Sequence, residues 1–262
     1  MIFFRSVKYL KYFLLSSHRR GHGIHSPFVF DLVSRVFRNK TDRNIVLKVE
    51  QIRKKMLSDG RTILVHDLGS CSELSKECLR RVSGIAKKSS VTRKYCRFLS
   101  GMAAEFGNPL IIELGTSLGI STMYMAASCK ETPLITIEGC PATAAIAKEN
   151  FLESGIENIK IIEGPFDEVL PGVLASGVKP GLVFIDGNHR KEPVIKYFNQ
   201  IAEIADNRTA VIIDDISYSR EMSEAWNEIK LHQKVSVSID IGRMGILFFK
   251  EGINHNDYII RY

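Results

Sequence analysis

The sequence has no apolar run of the roughly eighteen residues that a membrane-spanning helix requires. It also lacks internal repeats and any stretch rich in proline, glycine or serine, so neither an array of modules nor a flexible linker is indicated. Cysteine is scarce, and the five residues Cys71, Cys78, Cys96, Cys129 and Cys140 contain no C-x-x-C pair. An odd set without that spacing argues against a disulfide framework and a zinc ribbon, and fits reduced thiols in a cytoplasmic protein. Acidic residues are thin in one part only: residues 1–108 hold 8 Asp+Glu against 22 Lys+Arg, and the remainder holds 21 against 14. A basic segment of this kind is solvated surface or meets an anionic partner, such as a phosphorylated substrate, RNA or a membrane surface.

What is present is an ordinary globular composition, with 45% apolar and 25% charged residues over 262 positions. That length suits one α/β domain with extra elements. From about residue 109 apolar β-rich runs alternate with helical patterns, the signature of a parallel sheet with crossover helices. The spacing predicts strands over 110–114, 133–138, 159–163, 182–186 and 210–214. Two further strand-like runs, 234–240 and 244–250, flank an Ile-Gly-Arg turn and predict a closing hairpin. Pro193 fits the first turn of the helix after the fourth strand.

Ahead of residue 109 the pattern is helical. Ser26 and Pro27 read as cap and first turn of one helix, Thr41 or Asp42 caps another, and Tyr95, Phe98, Leu99, Met102 and Phe106 lie at core spacing in a third. The first residues place Phe3, Val7, Leu10 and Leu14 on one helical stripe, interrupted by Arg5, Lys8 and Lys11. This predicts an amphipathic helix docked on its own domain, with an anionic lipid surface as the alternative. The stretch 63–73 reads as a local turn or short hairpin. The predicted organisation is a basic helical elaboration over 1–90 and a catalytic domain over 91–262.

The chemistry concentrates in IIELGTSLGIST, residues 111–122. A dinucleotide-binding loop shows three glycines directly after its strand, and here only Gly115 and Gly119 occur, with Ser117 in the third place. Glu113, two residues before Gly115, would repel a pyrophosphate and instead suits a positive ligand group. Gly115 and Gly119 would let the backbone approach a ligand, and Ser121 or Thr122 would offer a hydroxyl at the helix start. Glu138, at the end of the next strand, can accept both hydroxyls of a ribose. A cofactor that joins adenosine to an amino acid fits this set, and S-adenosylmethionine is one. Either element alone would also suit a tight turn with a satisfied acid.

On these residues the chain from about 90 to 250 resembles the class I S-adenosylmethionine-dependent methyltransferases. Its loop, with Glu113, Gly115, Gly119 and Ser121, is closest to that of the catechol-type O-methyltransferases. HGIHSPF (22–28), IDGNH (185–189) and Asp214 to Trp226 further resemble a bacterial branch of that family. The resemblance implies a Rossmann-like, doubly wound, mostly parallel sheet of seven strands with an antiparallel C-terminal hairpin. It implies cofactor contacts from Glu113, Gly115, Ser117, Gly119, Ser121, Glu138, Gly164, Phe166 and Asp186. It also implies Mg²⁺ or another divalent cation on Asp186, Asp214 and Asp215, where the catechol-type pattern has an Asp-Asn pair at the last two positions.

His189, three residues after Asp186, falls where that family places the base that takes the acceptor's proton, and a neutral imidazole suits this task near neutral pH. Without a metal, Asp186 would orient the cofactor and Asp214 and Asp215 would cap the next helix. His22 and His25 read as a structural entry to the Pro27 helix or as pocket residues, and Trp226 as core. The expected activity is methyl transfer to oxygen of a small molecule, an anionic one being favoured by the basic segment, in a protein that could form a homodimer. The alternatives are an RNA methyltransferase and a non-catalytic S-adenosylmethionine binder. The Asp/Asn-Pro-Pro-aromatic signature of amino-directed nucleobase enzymes is absent.

Overall fold

The computed structural model describes residues 2–16, 24–37, 41–66 and 77–262. His22 and most of the 63–73 stretch lie outside the described residues. The helices are α1 (Ile2–Leu15), α2 (Pro27–Leu32, continued by a π-turn over Val33–Phe37), α3 (Arg43–Ser58), α4 (Val82–Lys88), α5 (Arg93–Phe106), α6 (Ile120–Ser128), α7 (Pro141–Ser154), α8 (Phe166–Leu174), α9 (Lys191–Ile204) and α10 (Arg220–Ile229). The strands are β1 (Thr62–His66), β2 (Glu77–Arg81), β3 (Ile111–Leu114), β4 (Leu134–Glu138), β5 (Ile159–Glu163), β6 (Leu182–Ile185), β7 (Ala210–Ile213), β8 (Val237–Asp240), β9 (Gly245–Phe248) and β10 (Asn256–Ile259). Two compact units emerge, one of residues 40–180 and one of residues 1–39 with 181–262.

In the 40–180 unit β3, β4 and β5 pair in parallel in that spatial order. β3 is buried along its whole length, as an apolar run between covering helices should be. α5 packs on α6, and α3 packs on α4, α6 and α7. Phe98, Leu99 and Met102 of α5 are buried, as their spacing predicts. Asp42 caps α3 by accepting from the Asn44 amide at 2.8 Å. β1 and β2 form an antiparallel ladder with Thr62 opposite Arg81.

In the other unit the strand order is β10-β8-β9-β7-β6. β7 lies parallel to β6, and β9 runs antiparallel to both β7 and β8. The closing hairpin is therefore present, and β10 adds an eighth strand to the seven expected, parallel to β8 at the edge. Gly245 has no Cβ because the Trp226 ring occupies that space, 2.4 Å from where one would stand. Strand–helix–strand crossovers in both units make this a Rossmann-like α/β fold.

The docking of α1 departs from expectation. Val7, Leu10 and Leu14 are 39%, 58% and 71% exposed, so this stripe is not the one that packs. Tyr12, about half a turn of the helix wheel away, makes the contact instead: its hydroxyl donates to the Ile260 carbonyl at 3.0 Å and accepts from the Tyr262 amide at 2.9 Å. The physical reason is the edge strand β10, whose flanking backbone polar groups need partners that an aliphatic stripe cannot provide. Arg261 reinforces the contact by donating to the Phe13 carbonyl at 2.7 Å.

Candidate active site

β3 runs into a loop that turns sharply at Gly115 (φ +100°), Ser117 (φ +48°) and Gly119 (φ +82°) before α6 begins. Gly119 is required twice over, by its left-handed backbone and by Phe151, whose ring stands 2.4 Å from where a Cβ would be. Ser117 adopts the left-handed region without being glycine, which costs about 1 kcal/mol. Its amide donates to Glu138 Oε2 at 2.7 Å, and the Cys140 amide donates to Oε1 at 2.9 Å. The carboxylate at the end of β4 thus clasps the loop after β3. Glu138 retains partial exposure, and burial raises its pKa.

Glu113 behaves differently from a ligand-facing acid. It is fully buried, and its carboxylate accepts from the hydroxyls of Ser121 (2.6 Å), Thr122 (2.5 Å) and Thr136 (2.7 Å). Burial pushes its pKa up to about 7 against the pull of those three donors. Glu113 therefore ties β3, β4 and the first turn of α6 together, and the Ser121 and Thr122 hydroxyls are spent on it. Asn150 of α7 braces the same loop by donating to the Leu118 carbonyl at 2.9 Å. Its polar side chain inside a helix of buried alanines is the signal that pattern reasoning passed over. Gly164 follows β5 at φ +142° with Val169 against its missing Cβ, and half-buried Phe166 opens α8.

In the unit containing residues 181–262 the carboxyl ends of β6 and β7 carry a second constellation. Asp186 follows β6, and His189 Nε2 stands 3.8 Å from its Oδ1, both side chains being partly exposed. Asn188 holds the intervening turn at φ +53°, donating to the Tyr197 hydroxyl at 3.2 Å. Asp214 follows β7 and is fully buried, and Asp215 is again left-handed at φ +53°. The cap of α10 is Ser219, accepting from the Met222 amide at 3.1 Å, so neither aspartate serves as that helix's cap.

Both Asp214 oxygens are engaged by Arg243: Nε stands 2.8 Å from Oδ1 and 3.1 Å from Oδ2, and Nη2 also donates to Oδ2. Arg243 Nε also lies 3.4 Å from Asp215 Oδ1. Among the described residues no group of three or more His, Cys, Asp or Glu side chains is arranged to hold a metal ion. The donor set Asp186, Asp214 and Asp215 does not fit a divalent cation, because a guanidinium already takes the buried carboxylate.

Three non-glycine residues have left-handed backbones among the described residues: Ser117, Asn188 and Asp215. They follow β3, β6 and β7, and sparsely populated conformations of this kind concentrate at functional sites.

Residues 112–216 match a family model described as a methyltransferase domain. A catechol O-methyltransferase of Niastella koreensis is 32% identical over 130 residues, covering 48% of this chain and 58% of that protein. An O-methyltransferase of Aspergillus flavus is 29% identical over 112 residues, covering 40% of this chain and 44% of that protein. The chain thus spans about half the length of the curated relatives it matches.

Among solved structures, an SAH-bound Podospora anserina methyltransferase superposes with a TM-score of 0.59 at 14% identity, covering 86% of this chain and 97% of that one. An O-methyltransferase of Bacillus cereus in complex with SAH gives 0.56 at 16% identity, covering 84% and 97%. Likeness at that identity shows a shared fold. The matched domain and the curated relatives support a class I S-adenosylmethionine-dependent methyltransferase family, catechol O-methyltransferase-like. No helix among the described residues is long and apolar enough to cross a membrane.

Proposed function

We propose that the protein transfers a methyl group from S-adenosylmethionine to a hydroxyl oxygen of a small molecule. The observation that carries this reading is the placement of the three left-handed non-glycine residues in the loops after β3, β6 and β7, within or at the borders of the two acid-bearing constellations. The structure supports a cofactor role for the β3 loop in two respects: its backbone is partly exposed at Gly115, and the Glu138 carboxylate remains partly exposed beside it. Gly115, Ser117, Gly119, Glu138, Gly164 and Phe166 would hold the cofactor, with Asp186 contributing from its own loop. Glu113, Ser121 and Thr122 act one step back, fixing the loop rather than touching the ligand.

S-adenosylmethionine, when bound, supplies an electrophilic methyl group, so the protein's task is to orient an acceptor and remove its proton. His189 takes that proton, and Asp186 at 3.8 Å stabilises the imidazolium that results. The partial exposure of both side chains leaves them reachable by an acceptor.

Calorimetry with S-adenosylhomocysteine and labelled-methyl transfer to a panel of phenols and other hydroxyl compounds test this reading. His189→Ala should retain cofactor affinity within about twofold while transfer falls about 10²- to 10⁴-fold. Failure to bind either S-adenosylmethionine or S-adenosylhomocysteine, or an unimpaired His189→Ala, would overturn it.

A further inference from the structure

We infer that Arg243 stands in this protein where its relatives' pattern would put a divalent cation, and that the protein works without one on acceptors bearing a single hydroxyl. The inference rests on the methyl-transfer reading above for its second half only. The hairpin register brings the arginine to this place. β9 starts at Gly245, opposite Ile213 at the end of β7, so the turn residues Met244 and Arg243 continue past the strand end alongside Asp214 and Asp215. The Arg243 carbonyl fixes that extension by accepting from the Ile216 amide at 3.0 Å.

The guanidinium then lies in the field of all three carboxylates. It grips Asp214 through a forked contact and pairs with Asp215, and Asp186 adds its charge from the β6 loop. A planar fork of this kind matches a carboxylate in both geometry and charge. Asp214 has no exposed surface, and both its oxygens already accept from Arg243, so a cation could join only by displacing the guanidinium or by sitting beside it. Displacement would leave the fully buried Asp214 without the half-buried arginine that pairs it, and side-by-side placement sets +2 against +1 at close range beside a buried carboxylate.

The chemistry of the acceptor follows. A metal-bound enzyme acidifies a hydroxyl by coordinating it, which favours acceptors with two adjacent oxygens that chelate. With a guanidinium fixed in the carboxylate cluster, the proton has to leave to an imidazole, and His189 is available at the same strand ends. A chelating pair of oxygens is then unnecessary. Arg243 is a positioning residue: it neutralises Asp214 and Asp215 and fixes the loop after β7.

Mn²⁺ binding followed by electron paramagnetic resonance, and thermal unfolding with and without Mg²⁺, Mn²⁺ or Ca²⁺, test the first half on the full chain without reference to activity. The native protein should bind no Mn²⁺ stoichiometrically at about 1 mM and show no cation-specific shift in Tm. Arg243→Ala should bind Mn²⁺ at least about tenfold more tightly than the native protein, and the ion should recover part of its lost stability. Arg243→Lys, which keeps a charge without the fork, should remain unresponsive to the cation.

Stoichiometric Mn²⁺ binding by the native protein would overturn the inference whether or not Arg243→Ala folds, and it would leave the methyl-transfer reading intact. Unchanged transfer in excess chelator, with mono-hydroxyl acceptors turned over at least as well as vicinal diols, supports the second half. Loss of transfer in chelator that is restored by Mg²⁺ overturns it. Failure of cofactor binding would sink the functional reading and leave the Mn²⁺ result standing.

Discussion

Replacing Glu113 with glutamine should change how the stability of this protein responds to pH. Burial raises the Glu113 pKa from an ordinary 4.5 to about 7. Between those two values the folded protein holds a proton that the unfolded chain has released. The stabilisation from this proton is fully present below about pH 4.5 and is lost as pH rises through about 7. A shift of about 2.5 units corresponds to about 3 kcal/mol at roughly 1.4 kcal/mol per unit. Above pH 7 the native fold must bury a carboxylate, against which the hydroxyls of Ser121, Thr122 and Thr136 are a partial offset.

Glu113→Gln is neutral throughout and keeps a carbonyl oxygen for those hydroxyls, so this slope should vanish. For a chain of this size, 3 kcal/mol corresponds to about 6–12 °C in Tm. The assay is thermal unfolding of both proteins in matched buffers from about pH 5 to pH 8. Glu138 and Asp240, whose pKa values burial also raises, contribute the same sign to both curves, so the quantity to follow is the difference between them. The native protein should lose ground against the variant as pH rises, most steeply between about pH 5 and pH 7, and the difference should level off above about pH 7. Parallel curves, or a native protein that gains on the variant with rising pH, would refute the assignment of a proton to this buried carboxyl group.

The cofactor loop and the α1 contact offer further tests. Gly119→Ala sets a Cβ against the Phe151 ring in a left-handed backbone, so it should cost about 2–3 kcal/mol in urea unfolding and weaken S-adenosylhomocysteine binding as well. An unchanged urea midpoint would contradict that packing. Tyr12→Phe removes both hydroxyl contacts at the C-terminal edge and should cost about 1 kcal/mol, whereas Leu14→Ser, on the exposed stripe, should stay within about 0.5 kcal/mol of the native protein. Equal effects of the two substitutions would show that the helix docks by its aliphatic face after all.

How much of this was visible in the sequence depends on how far apart the interacting residues lie. Strands buried on both faces read as short apolar runs, and β3 to β7 fall within one residue of their predicted ends, with Ile159–Glu163 coinciding. β10 was missed because Asn256–Ile259 is short, half polar and held by one neighbour at the edge. Gly119 and Glu138 were legible because their constraints are local: a left-handed turn, and an acid at the end of the next strand. The position of Glu113 was legible but its partners were not. Thr136 lies 23 residues away on β4, and nothing in the spacing tells whether an acid two residues before a glycine turns toward a ligand or toward a neighbouring strand. The α1 stripe misled for a related reason, since an amphipathic pattern shows that a helix has two faces and not which one an edge strand needs.

Arg243 shows where pattern reading stops and what replaces it. In sequence it is the third residue of an Ile-Gly-Arg turn, 29 positions from Asp214, and turn chemistry alone assigns it a solvated surface. Once β9 is known to run antiparallel to β7, with Gly245 opposite Ile213, the same residue has to lie at the carboxyl end of β7 beside two aspartates. The catechol-type resemblance groups the three carboxylates, but the identity of their counter-charge is fixed by a residue from another strand pair, outside the loop motifs on which the resemblance rests. Assigning a metal to acids at strand ends in this fold therefore requires asking which basic residue the antiparallel strand delivers to the same edge. Here an arginine is delivered, it is bidentate, and the acid it holds is the most deeply buried of the three.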